Sequence, residues 1–283
     1  MSRRQLDIDL LRGILRRRKY ATGRSSYPFI SGDTYAALCD YQFKQDLSLT
    51  GLKKNSESIK LFLPAYLKDQ FISELKSNNL DFTDDILVIH NYDNIPTDAE
   101  MTFFSKRFKK VHSVNWLGDK TIATPIPIGL ENWSLLKNGV PTDFLRLIGQ
   151  GLLPTSKRSI RILSSFSLET NSTERSRAIK FSKSNGDVFQ MPSFTSPKKY
   201  RKMLLNSAFV LSPPGNGADC HRTWEAIYLG AVPIVLKKYW PFSHLDLPVL
   251  VVEDWSEIPN MISAFGDCNQ SSIEELKSKF LTF

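Results

Sequence analysis

Residues 209–236 read FVLSPPGNGADCHRTWEAIYLGAVPIVL. The apolar run ending at Leu211 is short and closed by Ser212-Pro213-Pro214, the pattern of a buried strand. Pro213, Pro214, Gly215, Asn216 and Gly217 then break into a loop. A helix follows from near Asp219 and turns Trp224, Ile227 and Tyr228 inward. Gly230 ends it, and 231–236 forms a second buried strand. A glycine-bearing loop feeding a helix N-terminus leaves backbone N–H groups aimed at one place, which suits a phosphate or diphosphate. Arg222, in the first turn, adds a guanidinium able to grip the same anion at two points. Glu225 lies three residues on, on the same helix face, and offers a carboxylate to ribose hydroxyls. Such units also serve as plain scaffold, and Gly-Asn-Gly is neither a Walker loop nor a dinucleotide fingerprint. The reading rests on loop, Arg222 and Glu225 together.

Outward from this stretch, strands and helices alternate. Strands are expected at 58–63, 85–90, 111–116 and 124–129, with helices at 65–77 and 97–108; Thr97 and Glu100 form a capping box at the start of the latter. Residues 132–157 hold Gly139, Pro141, Gly149, Gly151 and Pro154 around one short apolar helix and read as the interdomain connection. The pattern then restarts with strands at 159–166 and 187–191, helices at 173–184 and 196–205, and a last strand at 249–252. Alternation of this kind predicts α/β architecture, two Rossmann-like doubly wound domains facing a cleft, with ligands beyond the carboxyl ends of the strands. The expected division is a basic amphipathic helix over 1–20, a first α/β domain over 21–150 and a second, holding the anion-suited loop, over 151–283. The polar stretch 20–49 reads as an extension rather than core.

Two further clusters carry chemistry. Ser165, Asn171 and Arg175 fall in and after the loop that opens the second domain, where hydroxyls, an amide and a guanidinium suit a diphosphate; a polar turn with Thr173 as helix cap is the alternative. In the first domain, His90 and Asp93 close a buried strand and Glu131 follows the Pro-Ile-Gly turn. Each is a candidate general base for removing a hydroxyl proton, and turn or strand-closing roles remain open for all three. His221, just before Arg222, offers a hydrogen bond to phosphate or sugar, with capping or packing as the alternative.

At Arg222-Thr223-Trp224-Glu225-Ala226 and Gly230-Ala231-Val232-Pro233 the chain resembles the exostosin-like glycosyltransferases, and the likeness extends over roughly 158–236. The stretch Phe166-Ser167, Thr170-Asn171 and Arg175 is similar to the corresponding loop of that family. The resemblance implies a GT-B-type fold and a nucleotide-diphosphate sugar bound through Pro214, Gly215, Asn216, Gly217, Arg222 and their neighbours. It also implies metal-independent transfer, with inversion, to a hydroxyl of a glycan acceptor, and so polysaccharide biosynthesis. Here Asp219-Cys220-His221 replaces the small residues that usually lead into the arginine. A non-catalytic nucleotide- or sugar-binding module, or a sugar-nucleotide epimerase on the same fold, is the alternative.

Composition narrows the field. The chain has 283 residues, 41% hydrophobic and 23% charged, as soluble globular proteins do. Cys39, Cys220 and Cys268 are scattered, with neither disulfide nor zinc spacing, so a cytoplasmic setting is expected. The N-x-Ser/Thr sequons at Asn132, Asn171 and Asn269 are read as chance. No run reaches transmembrane length, and no Gly-x-Ser-x-Gly elbow is present. The sole Asp-x-Asp, Asp7-Ile8-Asp9, lies in the basic segment, so no metal or other cofactor is expected. The net charge of +8 is concentrated partly in residues 1–19, where arginines alternate with Leu11, Ile14 and Leu15. A helix there suits the inner face of an anionic membrane, which would fit a lipid-linked glycan acceptor; docking on its own domain is the alternative. No recognition motif accompanies the charge, so no nucleic-acid partner is expected.

Overall fold

The computed structural model describes residues 25–45, 49, 52, 58–78, 80, 82–135, 138–192, 195–266 and 271–283. The basic helix expected over 1–20 lies outside the described residues. Two five-stranded sheets, parallel throughout and flanked by helices, form an α/β structure of two Rossmann-like halves. The first sheet contains β1 (Tyr41–Gln42), β2 (Lys60–Pro64), β3 (Phe82–His90), β4 (Phe108–Val114) and β5 (Thr124–Ile126), ordered 1-2-3-4-5. The second contains β6 (Ile160–Ser164), β7 (Val188–Gln190), β8 (Ser207–Leu211), β9 (Val232–Leu236) and β10 (Leu250–Val252), ordered 10-9-8-6-7. Strands β8 and β9 are buried along their whole lengths, as continuous apolar runs in a sheet covered on both faces must be.

The second order contains a reversal. From β6 the chain crosses to β7 on one side, then returns past β6 to β8 and continues away on the other side. Strands β6 and β8 are direct neighbours, with Ser164 opposite Leu211 at their carboxyl ends. The loops that leave these two ends diverge, and the crevice between them is where open parallel sheets place their ligands. Ser165 begins one loop and Ser212 the other.

The helices are α1 (Gly32–Leu38), α2 (Lys68–Ser77), α3 (Asp98–Ser105), α4 (Pro141–Gly149), α5 (Ser172–Ser184), α6 (Pro197–Leu205), α7 (His221–Tyr228), α8 (Ile258–Ala264) and α9 (Ile273–Phe280). The Thr97 capping box is formed with both of its hydrogen bonds. Residues 172–174 open α5 after an N-cap at Asn171, whose Oδ1 accepts the Glu174 N–H.

One expectation fails. The stretch 20–49, read as an extension, contributes core between residues 26 and 36: Phe29, Ile30 and Tyr35 are 0% exposed, while residues 40–42 are exposed. They belong to one apolar cluster with Phe144, Trp224, Tyr228 and Phe280, so this early segment is wedged between the two halves. The Ile30 N–H donates to Tyr228 Oη at 2.9 Å, the Leu130 N–H donates to the Ile30 carbonyl at 2.7 Å, and Tyr35 Oη donates to the Phe280 carbonyl at 3.2 Å. The periodicity is weak because the segment changes course within a few residues, from the irregular stretch holding Phe29 and Ile30 into the two-turn α1 that carries Tyr35 and then into the two-residue β1.

Gly129 is needed where this strap meets the first half. Its φ is +68°, and a Cβ would lie 2.0 Å from the Ile30 carbonyl oxygen. Gly129→Ala is therefore expected to cost at least about 2 kcal/mol, from left-handed strain and the clash together. Chemical denaturation checks this; a change of under about 0.5 kcal/mol would contradict it.

Candidate functional site

A cleft of about 360 Å³ opens beyond the carboxyl ends of β6 and β8. Its floor is the loop 213–219. Arg175 Nε donates to the Pro214 carbonyl at 3.0 Å, and Asn171 Nδ2 donates to the Gly215 carbonyl at 3.2 Å. The loop's carbonyls are thus taken by the neighbouring loop. Among the described residues, the N–H groups of Asn216 and Gly217 have no protein partner.

Two guanidiniums reach the same cleft. Arg175 is buried, and its Nη1 donates to the Ser167 carbonyl at 2.7 Å; Arg222 Nε donates to the Ser165 carbonyl at 2.7 Å. Both lie over the ring of Phe166, at 5.9 and 5.4 Å from its centroid. Neither forms an ion pair with a carboxylate among the described residues, while the adjacent Glu174 is shared by Arg177 and Lys238. Burial, then the charge of Arg222, pulls the Arg175 pKa down. Two positive charges held this way without a direct ion pair favour an anion beside them.

Glu225 closes the other side. It is buried, and one oxygen accepts the Tyr200 hydroxyl at 2.9 Å. Burial raises its pKa against the pull of His221, Tyr200 and Arg222. The Tyr200 pKa is raised by burial and by Glu225. The second Glu225 oxygen has no protein partner among the described residues and is available to a hydroxyl.

The first half meets this floor at Asn115 and Asp219. Asn115, at φ 59°, donates from Nδ2 to the Asp93 carbonyl at 3.0 Å and accepts the Asp219 N–H on Oδ1 at 3.0 Å. The Asp219 carboxylate accepts the Ile128 N–H at 2.9 Å and the Trp224 indole N–H at 2.7 Å on Oδ2, and the Cys220 N–H at 2.8 Å on Oδ1. Gly217 passes so close that a Cβ would lie 2.4 Å from both Asn115 Nδ2 and the Asp93 carbonyl oxygen. His221 Nδ1 lies 2.8 Å from the Gly129 carbonyl, again across the cleft.

The sequence candidates divide accordingly. Ser165, Arg175, Gly215, Asn216, Gly217, His221, Arg222, Glu225 and Asp93 line one cleft. Asn171 and Pro214 stand behind it, holding the loop through the contacts above. His90 is buried outside the lining: Nε2 lies 3.1 Å from the Pro127 carbonyl, Nδ1 accepts the Asn91 N–H at 2.7 Å, and burial pushes its pKa down to about 4. Glu131 also lies outside the lining and accepts the Asn138 N–H at 2.7 Å. Asn115, Asp219 and Tyr200 escaped sequence reasoning. Asp219 carries the one usable signal, a carboxylate at a helix start with no exposed charge to meet. Among the described residues, no group of three His, Cys, Asp or Glu side chains is placed to hold a metal ion, and no helix is long and apolar enough to cross a membrane.

Residues 167–283 match the family model described as the RXYLT1 C-terminal domain. The matched span is under half of the chain; it takes in Arg175, the 213–219 loop and α7 and leaves out the first sheet. The match supports a glycosyltransferase at that coarse level. No curated protein matches the chain.

Burial pushes the Asp219 pKa up to about 6, against three N–H bonds that favour its charged form. An unfolded aspartate titrates near about 3.9. The native state therefore holds the extra proton between these values, and its contribution to stability is present below about pH 4 and lost as pH rises through about 6. Relative to Asp219→Asn, the wild type is expected to lose about 2–3 kcal/mol of unfolding free energy between about pH 4 and pH 7. Parallel or oppositely sloped urea-unfolding curves would show that the N–H donors outweigh burial.

Proposed function

We propose that this protein transfers a sugar from a nucleotide-diphosphate sugar to a hydroxyl of a glycan acceptor, with inversion and with basic side chains rather than a metal offsetting the leaving charge. The observation that carries the reading is the pair Arg175 and Arg222, without carboxylate partners, converging on the crevice between β6 and β8. In transfer to oxygen, the bond from the anomeric carbon to the diphosphate breaks and negative charge grows on the departing oxygens. Groups already oriented toward that charge stabilise it most where water is scarce. Arg222 and Arg175 face the diphosphate, with the N–H groups of Asn216 and Gly217 beneath it. Glu225 accepts a hydroxyl of the ribose or sugar while Tyr200 holds it in place. The acceptor enters along the wall that carries Asp93.

Arg222→Ala is expected to weaken binding of the cognate nucleoside diphosphate about 10- to 100-fold, the loss of one or two charge-assisted hydrogen bonds. Calorimetric titration of UDP, GDP and their sugars, wild type beside variant, measures it. Equal affinity in both would remove the diphosphate from this crevice.

A membrane-proximal, lipid-linked acceptor belongs to the same proposal, through the basic residues of 1–19. Deleting 1–19 is then expected to abolish co-sedimentation with anionic liposomes, and undiminished co-sedimentation would sink the anchor.

A further inference from the structure

His221 differs from the other histidines in how its nitrogens are used. Nδ1 lies 2.8 Å from the carbonyl oxygen of Gly129. A carbonyl only accepts, so Nδ1 carries the hydrogen, and in the neutral ring Nε2 carries a lone pair. Among the described residues Nε2 has no protein partner, and His221 lines the cleft. His90 is the reverse: both nitrogens are occupied by backbone groups, so it has no lone pair to offer without breaking a bond. The Gly129 contact also fixes the ring from the opposite half, since Gly129 belongs to the first half and His221 to the second.

Charged groups of both signs surround that ring. Asp219 lies two residues before it and Glu225 four residues after it, both buried, and each interacts electrostatically with His221. Arg222, on the same helix, and Arg175 from α5 line the same cleft, and Arg201 from α6 acts on Glu225; Tyr200, Asp93 and His90 are the other titratable groups nearby. Arg222 and Arg175 are the two groups assigned to the diphosphate, whose charge would offset them once donor is bound.

We propose that His221 is the general base of this site, a catalytic residue rather than a donor-binding one. The inference rests on the glycosyltransferase reading above. As the acceptor oxygen bonds to the anomeric carbon, its hydrogen passes to Nε2, and the bond from that carbon to the diphosphate breaks. The electron pair leaves with the nucleoside diphosphate, and the imidazolium later gives its proton to solvent. The same step operates with water as acceptor, so slow donor hydrolysis reports on it without the natural acceptor.

The test is His221→Asn, whose side-chain amide can still donate to the Gly129 carbonyl but has nothing in place of Nε2. Release of nucleoside diphosphate is followed for a panel of UDP- and GDP-linked sugars, with donor affinity measured by calorimetry on the same samples. The expected result is a fall in turnover of about 10²- to 10⁴-fold with donor affinity unchanged. His221→Ala should then regain at least tenfold with added imidazole. Turnover within about threefold of wild type in His221→Asn would overturn the assignment. So would loss of donor affinity in parallel with turnover, which makes His221 a binding group. A wild type that binds no member of the panel overturns the glycosyltransferase reading itself, and the base with it.

Discussion

The Asp219 carboxylate holds this molecule's working arrangement together. It sits in the loop between β8 and α7, yet one of its three N–H partners, that of Ile128, belongs to the first half. Asn115 repeats the device in the opposite direction, binding the Asp219 N–H with one end of its amide and the Asp93 carbonyl with the other. A buried carboxylate is costly unless its oxygens are satisfied, and here the donors come from both halves. The two halves must therefore stay in register for Asp219 to remain solvated by protein. That register also sets the positions of Gly217 and His221 against the first half. The apolar strap of Phe29, Ile30 and Tyr35 fills the space beside this polar seam.

The seam leaves the electrostatics of the cleft one-sided. Acidic groups at the floor are already engaged, Asp219 by N–H donors and Glu225 in part by Tyr200. The arginines are engaged through carbonyl oxygens and, for Arg222, the Cys220 sulfur, which orient a guanidinium without cancelling its charge. Phe166 beneath both keeps them partly desolvated. The result is a crevice at a topological switch point with two fixed guanidiniums on one side, suited to a leaving group that arrives as a diester and departs with more charge.

Much of this was legible in the chain. Continuous apolar runs at 208–211 and 231–236, with Pro213 to Gly217 between them, pointed to two buried strands around a loop. Arg222 and Glu225 followed from helical spacing alone. The Thr97 capping box was readable because it is a local contact. What escaped was non-local. Asn115 acts through a left-handed backbone and partners 22 and 104 residues away, and no local pattern marks either. Residues 29–35 have the composition of a loop and become core only because both sheets close on them. The free nitrogen of His221 depends on a carbonyl 92 residues distant; the sequence offered only a histidine before an arginine.

The most direct measurement of the central claim is a crystal structure with the nucleoside diphosphate that binds most tightly. The account predicts its diphosphate between the Arg175 and Arg222 guanidiniums, over the N–H groups of Asn216 and Gly217, with a ribose or sugar hydroxyl on Glu225. Density for the ligand elsewhere, with the two arginines unengaged, would contradict it.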